Sequence, residues 1–175
     1  MSTRDPALVK GTFEYLEAKI RRDAEGTLFG SDFEWMCKWF LENAPKYRGQ
    51  FDKVLLWSDW PDRWGADAGI DIVVRTRMGE WWAVQSKADD PAHVIKKREI
   101  DSFLAESNRP EFAYRLLMAT TDSVGTTARR TLLAQQKPVG VVLRGHFLTE
   151  PLHWPVRIGG KAAKLPRHRP RPPPY

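Results

Sequence analysis

Asp71, Gln85 and Lys87 are residues whose types and spacing suit a chemical step. They sit in two apolar runs, the β-branched Ile70-Asp71-Ile72-Val73-Val74 and the aromatic and aliphatic Trp81-Trp82-Ala83-Val84-Gln85, and both runs read as central strands covered on two faces. Arg77-Met78-Gly79 reads as the turn between them. Side chains alternate across a strand, so loop length decides which residues share a face. A two-residue loop sets Asp71 opposite Ser86. A three-residue loop, with Gly79 in the left-handed conformation, sets Asp71 opposite Gln85, and then Asp71, Gln85 and Lys87 point the same way. One carboxylate and one amide oxygen suit a hard cation, Mg²⁺ or Mn²⁺, and lack the His and Cys donors zinc prefers. An ammonium beside them can orient a water and offset charge on phosphorus, as phosphodiester hydrolysis requires. Taken singly, an Asp after Gly-Ile can serve only to close a turn and a strand-end Lys is usually just solvated; it is the joint spacing and parity that favour a site.

The elements that must position these groups follow from periodicity. Residues 6–24 read as an amphipathic helix with Leu8, Phe13, Leu16 and Ile20 near helical spacing, an extension packed on the core. A second helix runs from Ser31 to Asn43, before Pro45, and is apolar on several sides, which implies deep burial. Ser31-Asp32-Phe33-Glu34 also matches a capping box, so two roles compete for the Glu34 carboxylate. Phe51 to Trp57 reads as the first core strand, leading into a loop that mixes Trp57, Trp60 and Trp64 with Asp59, Asp62 and Asp67. The tryptophans could stack on exposed bases, but a local cluster that stiffens the loop is the stronger reading. Asp67, four residues before Asp71, is a second acid for the metal site.

Beyond Lys87 a helix is expected over 95–107, with Lys96, Lys97 and Arg98 in its first turn. Cations placed against the helix dipole suggest phosphate contact, and His93 is a weaker candidate for the same surface. Tyr114 to Thr120 reads as a buried strand, Thr126 to Gln136 as a helix exposing Arg129 and Arg130, and Val139 to Leu143 as a last strand.

The series GSDFEWMCKWFL, GADAGIDIVV and WWAVQSK resembles the Mrr-type branch of the PD-(D/E)XK nucleases, in which glutamine often replaces the usual acid. The text DPAHVIKKREIDSFLAES is similar to the nuclease domain at the N-terminus of type ISP restriction-modification and helicase proteins. The resemblance covers roughly residues 30–155 and implies an α/β fold: a restriction-endonuclease-like αβββαβ core with a mixed central sheet flanked by helices. It also implies a catalytic core of Asp71, Gln85 and Lys87, a helix glutamate at Glu34 and an accessory acid at Asp67. Ser86 stands where relatives carry Cys; by parity its side chain belongs to the other face. The implied organisation is an N-terminal helical extension (1–28), the nuclease domain (29–156) and a basic, Pro-rich tail (157–175). The implied partner is DNA, with a helicase or translocase or a methyltransferase module in trans and a homodimer as further options. A catalytically idle binding module, a truncated remnant and a resolvase-like nuclease for branched DNA are the alternatives. No GxxxxGK[ST] occurs, so no motor is expected within the chain itself.

Composition sets the outer limits. At 175 residues, 42% hydrophobic and 29% charged, the chain has the makings of one globular domain with a real core. One cysteine, Cys37, excludes an intramolecular disulfide and a cysteine-rich zinc site, and a reducing cytoplasm is the expected setting. No apolar run approaches membrane length and residues 1–10 lack a signal-peptide core. From Arg157 onward there are six basic residues and no acids, which leaves 22 basic residues against 22 acidic ones in the body, so the +6 charge belongs to the tail. Deleting residues 161–175 removes five of those charges. The expected result is weaker DNA binding with a flatter salt dependence and an unchanged rate at saturating DNA. Equal affinities across a salt series would make the tail a spacer.

Overall fold

In the computed structural model, which describes residues 8–25, 30–66 and 68–160, both arms of the hairpin are interior strands. β1 (Phe51–Leu56), β2 (Ile72–Thr76), β3 (Trp81–Lys87), β4 (Phe112–Ala119) and β5 (Val139–Val142) lie side by side in that order. The first three pair antiparallel, and β3, β4 and β5 pair parallel. The parallel pairs need crossovers, and α3 (Lys97–Glu106) and α4 (Thr126–Leu133) supply them. The sheet is therefore mixed, and the helix preceding β1 completes the αβββαβ order expected from sequence.

Alternation assigns the two faces. Ile72, Val74, Val84, Leu116 and Met118 point into a core shared with α1 (Phe13–Asp23), α2 (Gly30–Asn43) and α5 (Arg144–Thr149). Val73, Ala83, Leu117 and Ala119 point into a second core shared with α3 and α4. In the first core, α1 is integral: Thr12 caps it by accepting from the Tyr15 amide at 3.2 Å, and Phe13 and Leu16 are buried. Buried Glu17 accepts from both terminal nitrogens of Arg144, at 2.6 and 2.7 Å, tying α1 to α5. Trp154 fills the gap between them, against Phe13, Trp39, Phe40 and Phe147. Cys37, on the inner side of α2, is fully buried in the same core, and burial pushes its thiol well above the usual range.

Element ends differ from the sequence reading for local reasons. The third helix starts at Lys97 rather than Ile95 because Ile95 is held extended in a bridge to Val124, its amide donating to Ser123 O. The fourth ends at Leu133 instead of Gln136. The first begins only at Phe13, after its cap. The six-residue α5 was not expected, being too short to show a period. The tail beyond 160 and Asp67 lie outside the described residues. Among the described residues no helix is long and apolar enough to cross a membrane.

Candidate active site

The hairpin loop has the three-residue form: Thr76 N–H donates to Glu80 O at 2.8 Å, Gly79 N–H donates to Thr76 O at 2.9 Å, and Gly79 sits at φ +87°. The register that follows pairs Arg75 with Trp81, Val74 with Trp82, Val73 with Ala83 and Ile72 with Val84. One step further, the expectation fails. Asp71 does not continue to Gln85: its N–H donates to Val84 O at 2.9 Å, so Asp71 and Ile72 both face the single residue Val84. This is a bulge, which re-aims the side chain at the first of the two positions. The chain crosses faces there, since Ile70 lies in the α3 core and Ile72 in the α2 core.

The bulge carries the Asp71 carboxylate to the α2 side of the sheet end. There its Oδ2 accepts from the Ser86 amide at 2.8 Å and the Ser86 hydroxyl at 3.2 Å. Ser86, expected to face away from the site, is thus the residue that holds Asp71; a hydroxyl one residue from the Gln85–Lys87 pair was the only sequence signal for it. Glu34 meets Asp71 on the same side. With α2 already running at Gly30, Glu34 falls in its second turn, beyond the reach of a capping box begun at Ser31. Burial first, and then the charge and hydrogen bond of Asp71, push the Glu34 carboxyl up to about 7. Burial also raises Asp71, opposed by the two Ser86 bonds, by Glu34 and by the positive charge of Lys87. The two carboxyls open on a cleft of about 260 Å³ lined also by Leu56, Trp57, Ser58, Ala66 and Ile70.

Gln85 and Lys87 keep the parity of Ala83 and belong to the α3 side. The Gln85 amide nitrogen donates to Gly69 O at 3.3 Å, while its Oε1 is buried without a hydrogen-bond partner. Lys87 Nζ lies 3.8 Å from Glu99 Oε1. The expected trio is therefore divided across the sheet end, with Asp71, Ser86 and Glu34 on one side and Gln85 and Lys87 on the other. Gln85 lies between Val84 and Ser86, both bonded to Asp71, so the two halves are one residue apart along β3. Two carboxyls pressed together, both raised, offer oxygen donors that suit a divalent cation on the α2 side, and the orphaned amide oxygen of Gln85 is a further hard donor on the α3 side.

Of the cations expected on the DNA side, Lys96, Lys97, Arg98, Arg129 and Arg130 are all exposed. Lys97 pairs with Asp101 at 2.9 Å, which reduces its availability. The tryptophans of the β1–β2 loop are packed among themselves: Trp57 and Trp60 are buried, and Trp64 lies 5.0 Å from Trp57, under the Arg109 guanidinium at 3.7 Å. They stiffen the loop that precedes Asp71.

Because Glu34 is raised above its ordinary value of 4.5, the folded metal-free protein holds a proton near neutrality that the unfolded chain has lost. Stability contributed at this site is therefore present below the unfolded value and is lost as pH climbs towards 7. Thermal melts in EDTA are expected to fall across that window in wild type and to flatten in Glu34→Gln. Added Mg²⁺ should raise the wild-type midpoint more at pH 8 than at pH 5.5. An unchanged pH slope in Glu34→Gln would remove this account.

A mixed sheet whose antiparallel hairpin ends in Asp, Gln and Lys, beside a glutamate from the preceding helix, defines the restriction-endonuclease-like α/β class. A family model described as "Restriction endonuclease" (Mrr_cat_2) matches residues 42–163. The chain belongs to this Mrr-type restriction endonuclease family. Glu34 precedes the matched span. Among solved structures, the chain is similar to the ATP-dependent Type ISP restriction-modification enzyme LlaBIII bound to DNA, with a TM-score of 0.66 and 23% identity over 87% of this chain and 10% of that one. It is similar also to the DNA modification-dependent restriction endonuclease AspBHI, with a TM-score of 0.51 and 17% identity over 82% of this chain and 38% of that one. At these identities the likeness concerns the fold, and the chain spans only a small part of either protein. A comparison with curated proteins gave no match.

Proposed function

We propose that the chain is a divalent-metal-dependent DNA endonuclease module that hydrolyses a phosphodiester. The observation carrying this reading is the Glu34–Asp71 carboxyl pair, set by a bulge at the end of the hairpin whose other arm presents Gln85 and Lys87. Asp71 and the orphaned Gln85 Oε1 would hold Mg²⁺ (or Mn²⁺), with Glu34 alongside and Asp67 as a further acid. When bound, the ion lowers the pKa of water and polarises the phosphoryl oxygens. The chain's own residues do the rest. Ser86 fixes the Asp71 carboxylate with two donors, so that it need not reorganise. Lys87 orients the attacking water in line with the leaving 3′ oxygen and offsets charge on the equatorial oxygens as that P–O bond breaks.

Lys96, Arg98, Arg129 and Arg130 would hold the phosphate backbone on the α3–α4 side, and Lys97 would join them on leaving Asp101. A double-strand break needs two chains or two encounters, because one site cuts one strand. The likeness to an ATP-dependent restriction-modification enzyme supports work alongside a translocase or methyltransferase module in trans. Residues 29–156 form the nuclease unit in this reading and 157–175 its basic tail, acting in the cytoplasm.

The test is supercoiled plasmid incubated with the purified chain and Mg²⁺. Nicked or linear product is expected with Mg²⁺ and none in EDTA, and Lys87→Ala should slow cleavage about 10²-fold or more. Equal cleavage in EDTA, or by Lys87→Ala, would sink the reading.

A further inference from the structure

We infer that Glu99 is the positioning residue for Lys87, holding its ammonium beside the scissile phosphate. This rests on the nuclease reading above. Lys87 ends β3, and its carbonyl is fixed by the Thr120 amide at 3.1 Å, but that pins only the backbone. The flexible four-carbon side chain still has to be aimed. Among the described residues Glu99, in the first turn of α3, is the acid in ion-pair range of Lys87, at 3.8 Å. Its carboxylate is clamped. Oε2 accepts from the Lys96 amide at 2.6 Å, and Oε1 meets His93 Nε2 at 2.8 Å. Burial works against the Glu99 charge, yet the Lys96 amide, His93 and Lys87 outweigh it and hold the carboxyl below its usual range. The Lys87 ammonium thus feels two anions, the fixed Glu99 on the α3 side and Asp71 on the α2 side. Without Glu99, the remaining pull on the ammonium is that of Asp71, the carboxylate that would hold the metal ion.

Two other accounts of Glu99 exist. The first has it serve α3 alone, through the bond to Lys96. Alternatively Asp89, His93 and Glu99, whose donor atoms lie within 4.8 Å of one another, could hold a cation of their own. The first leaves the Lys87 contact without a purpose. The second sets a further cation beside the Lys87 ammonium, which already pairs with the Glu99 carboxylate.

Glu99→Gln keeps an oxygen for the Lys96 amide and removes the charge. Plasmid nicking in Mg²⁺ is expected to show kcat reduced about tenfold, KM for DNA within about twofold of wild type, and an unchanged cooperative melt. In a Lys87→Ala background, read at single turnover over hours, the same substitution should cost nothing further, because residues acting as a unit are not additive. An unchanged kcat, or an equal loss with and without Lys87, overturns the assignment while leaving the nuclease reading intact. Calorimetric titration with Zn²⁺ also overturns it if His93→Ala and Glu99→Gln each lose a binding event that Asp71→Asn retains. A wild-type chain that nicks no DNA overturns the nuclease reading, and this assignment with it.

Discussion

Asp71→Asn is expected to slow cleavage by at least about 10²-fold while raising the melting temperature of the metal-free protein. The first effect follows from taking away a carboxylate that would hold the ion, where even residues that only support a ligand cost 10–100-fold. The second comes from the geometry of the pair. Asp71 and Glu34 share one pocket, and burial together with the Asp71 charge pushes Glu34 up to about 7. An amide at position 71 can still accept the Ser86 amide and hydroxyl through its oxygen, yet it carries no charge to oppose Glu34. Glu34 then titrates nearer its ordinary value, and the folded state loses a source of strain. Opposite movements of activity and stability are what a site held in an unfavourable charge state produces. Plasmid cleavage and a melt in EDTA, run on the same preparation, check both, and a lower melting temperature would show that Asp71 serves packing.

Trp154→Ala should cost about 3–5 kcal/mol of folding free energy, the usual range for truncating a fully buried large aromatic. Trp154 is 1% exposed and packs at 4.9 Å between ring centroids against Trp39, 5.4 Å against Phe13 and 5.9 Å against Phe40. Its amide donates to Gly11 O at 2.7 Å, so one residue links the segment after α5 to the start of α1. Denaturant unfolding followed by circular dichroism reads the change as a shifted midpoint. A loss under 1 kcal/mol would mean that α1 and α5 are held by the Glu17–Arg144 pair and not by this aromatic group.

What the sequence disclosed about the site depended on short-range rules. The strand period, the β-branched run before Asp71 and Gly79 at the end of the loop were enough for the three-residue turn and the ladder from Arg75 to Ile72. The bulge at Asp71 was hidden, because nothing in GIDIVV distinguishes a continuing strand from one that gains a residue; the decision rests with Val84 and Ser86 across the ladder. His93 was read only as a weaker phosphate contact and Glu99 was not singled out, since the contacts of Glu99 with Lys87 and His93 depend on how the β3–α3 connection folds back. Trp154 escaped for another reason: it lies after a helix of six residues, in a stretch with no period to read. Glu34 was legible as a candidate, but its place beside Asp71 was not, because a capping box and a site carboxylate use the same spacing.

The burial of Cys37 gives the protein a native reporter. It is the chain's single thiol and lies three residues after Glu34 on the same helix. Buried and held protonated, it should be inert to alkylating reagents until α2 lifts from the sheet. Its labelling rate therefore counts openings of the helix that carries Glu34, separately from global unfolding. An ion that draws Glu34 and Asp71 together would slow that labelling without touching the cysteine, so occupancy of the site can be followed by mass spectrometry with no DNA present.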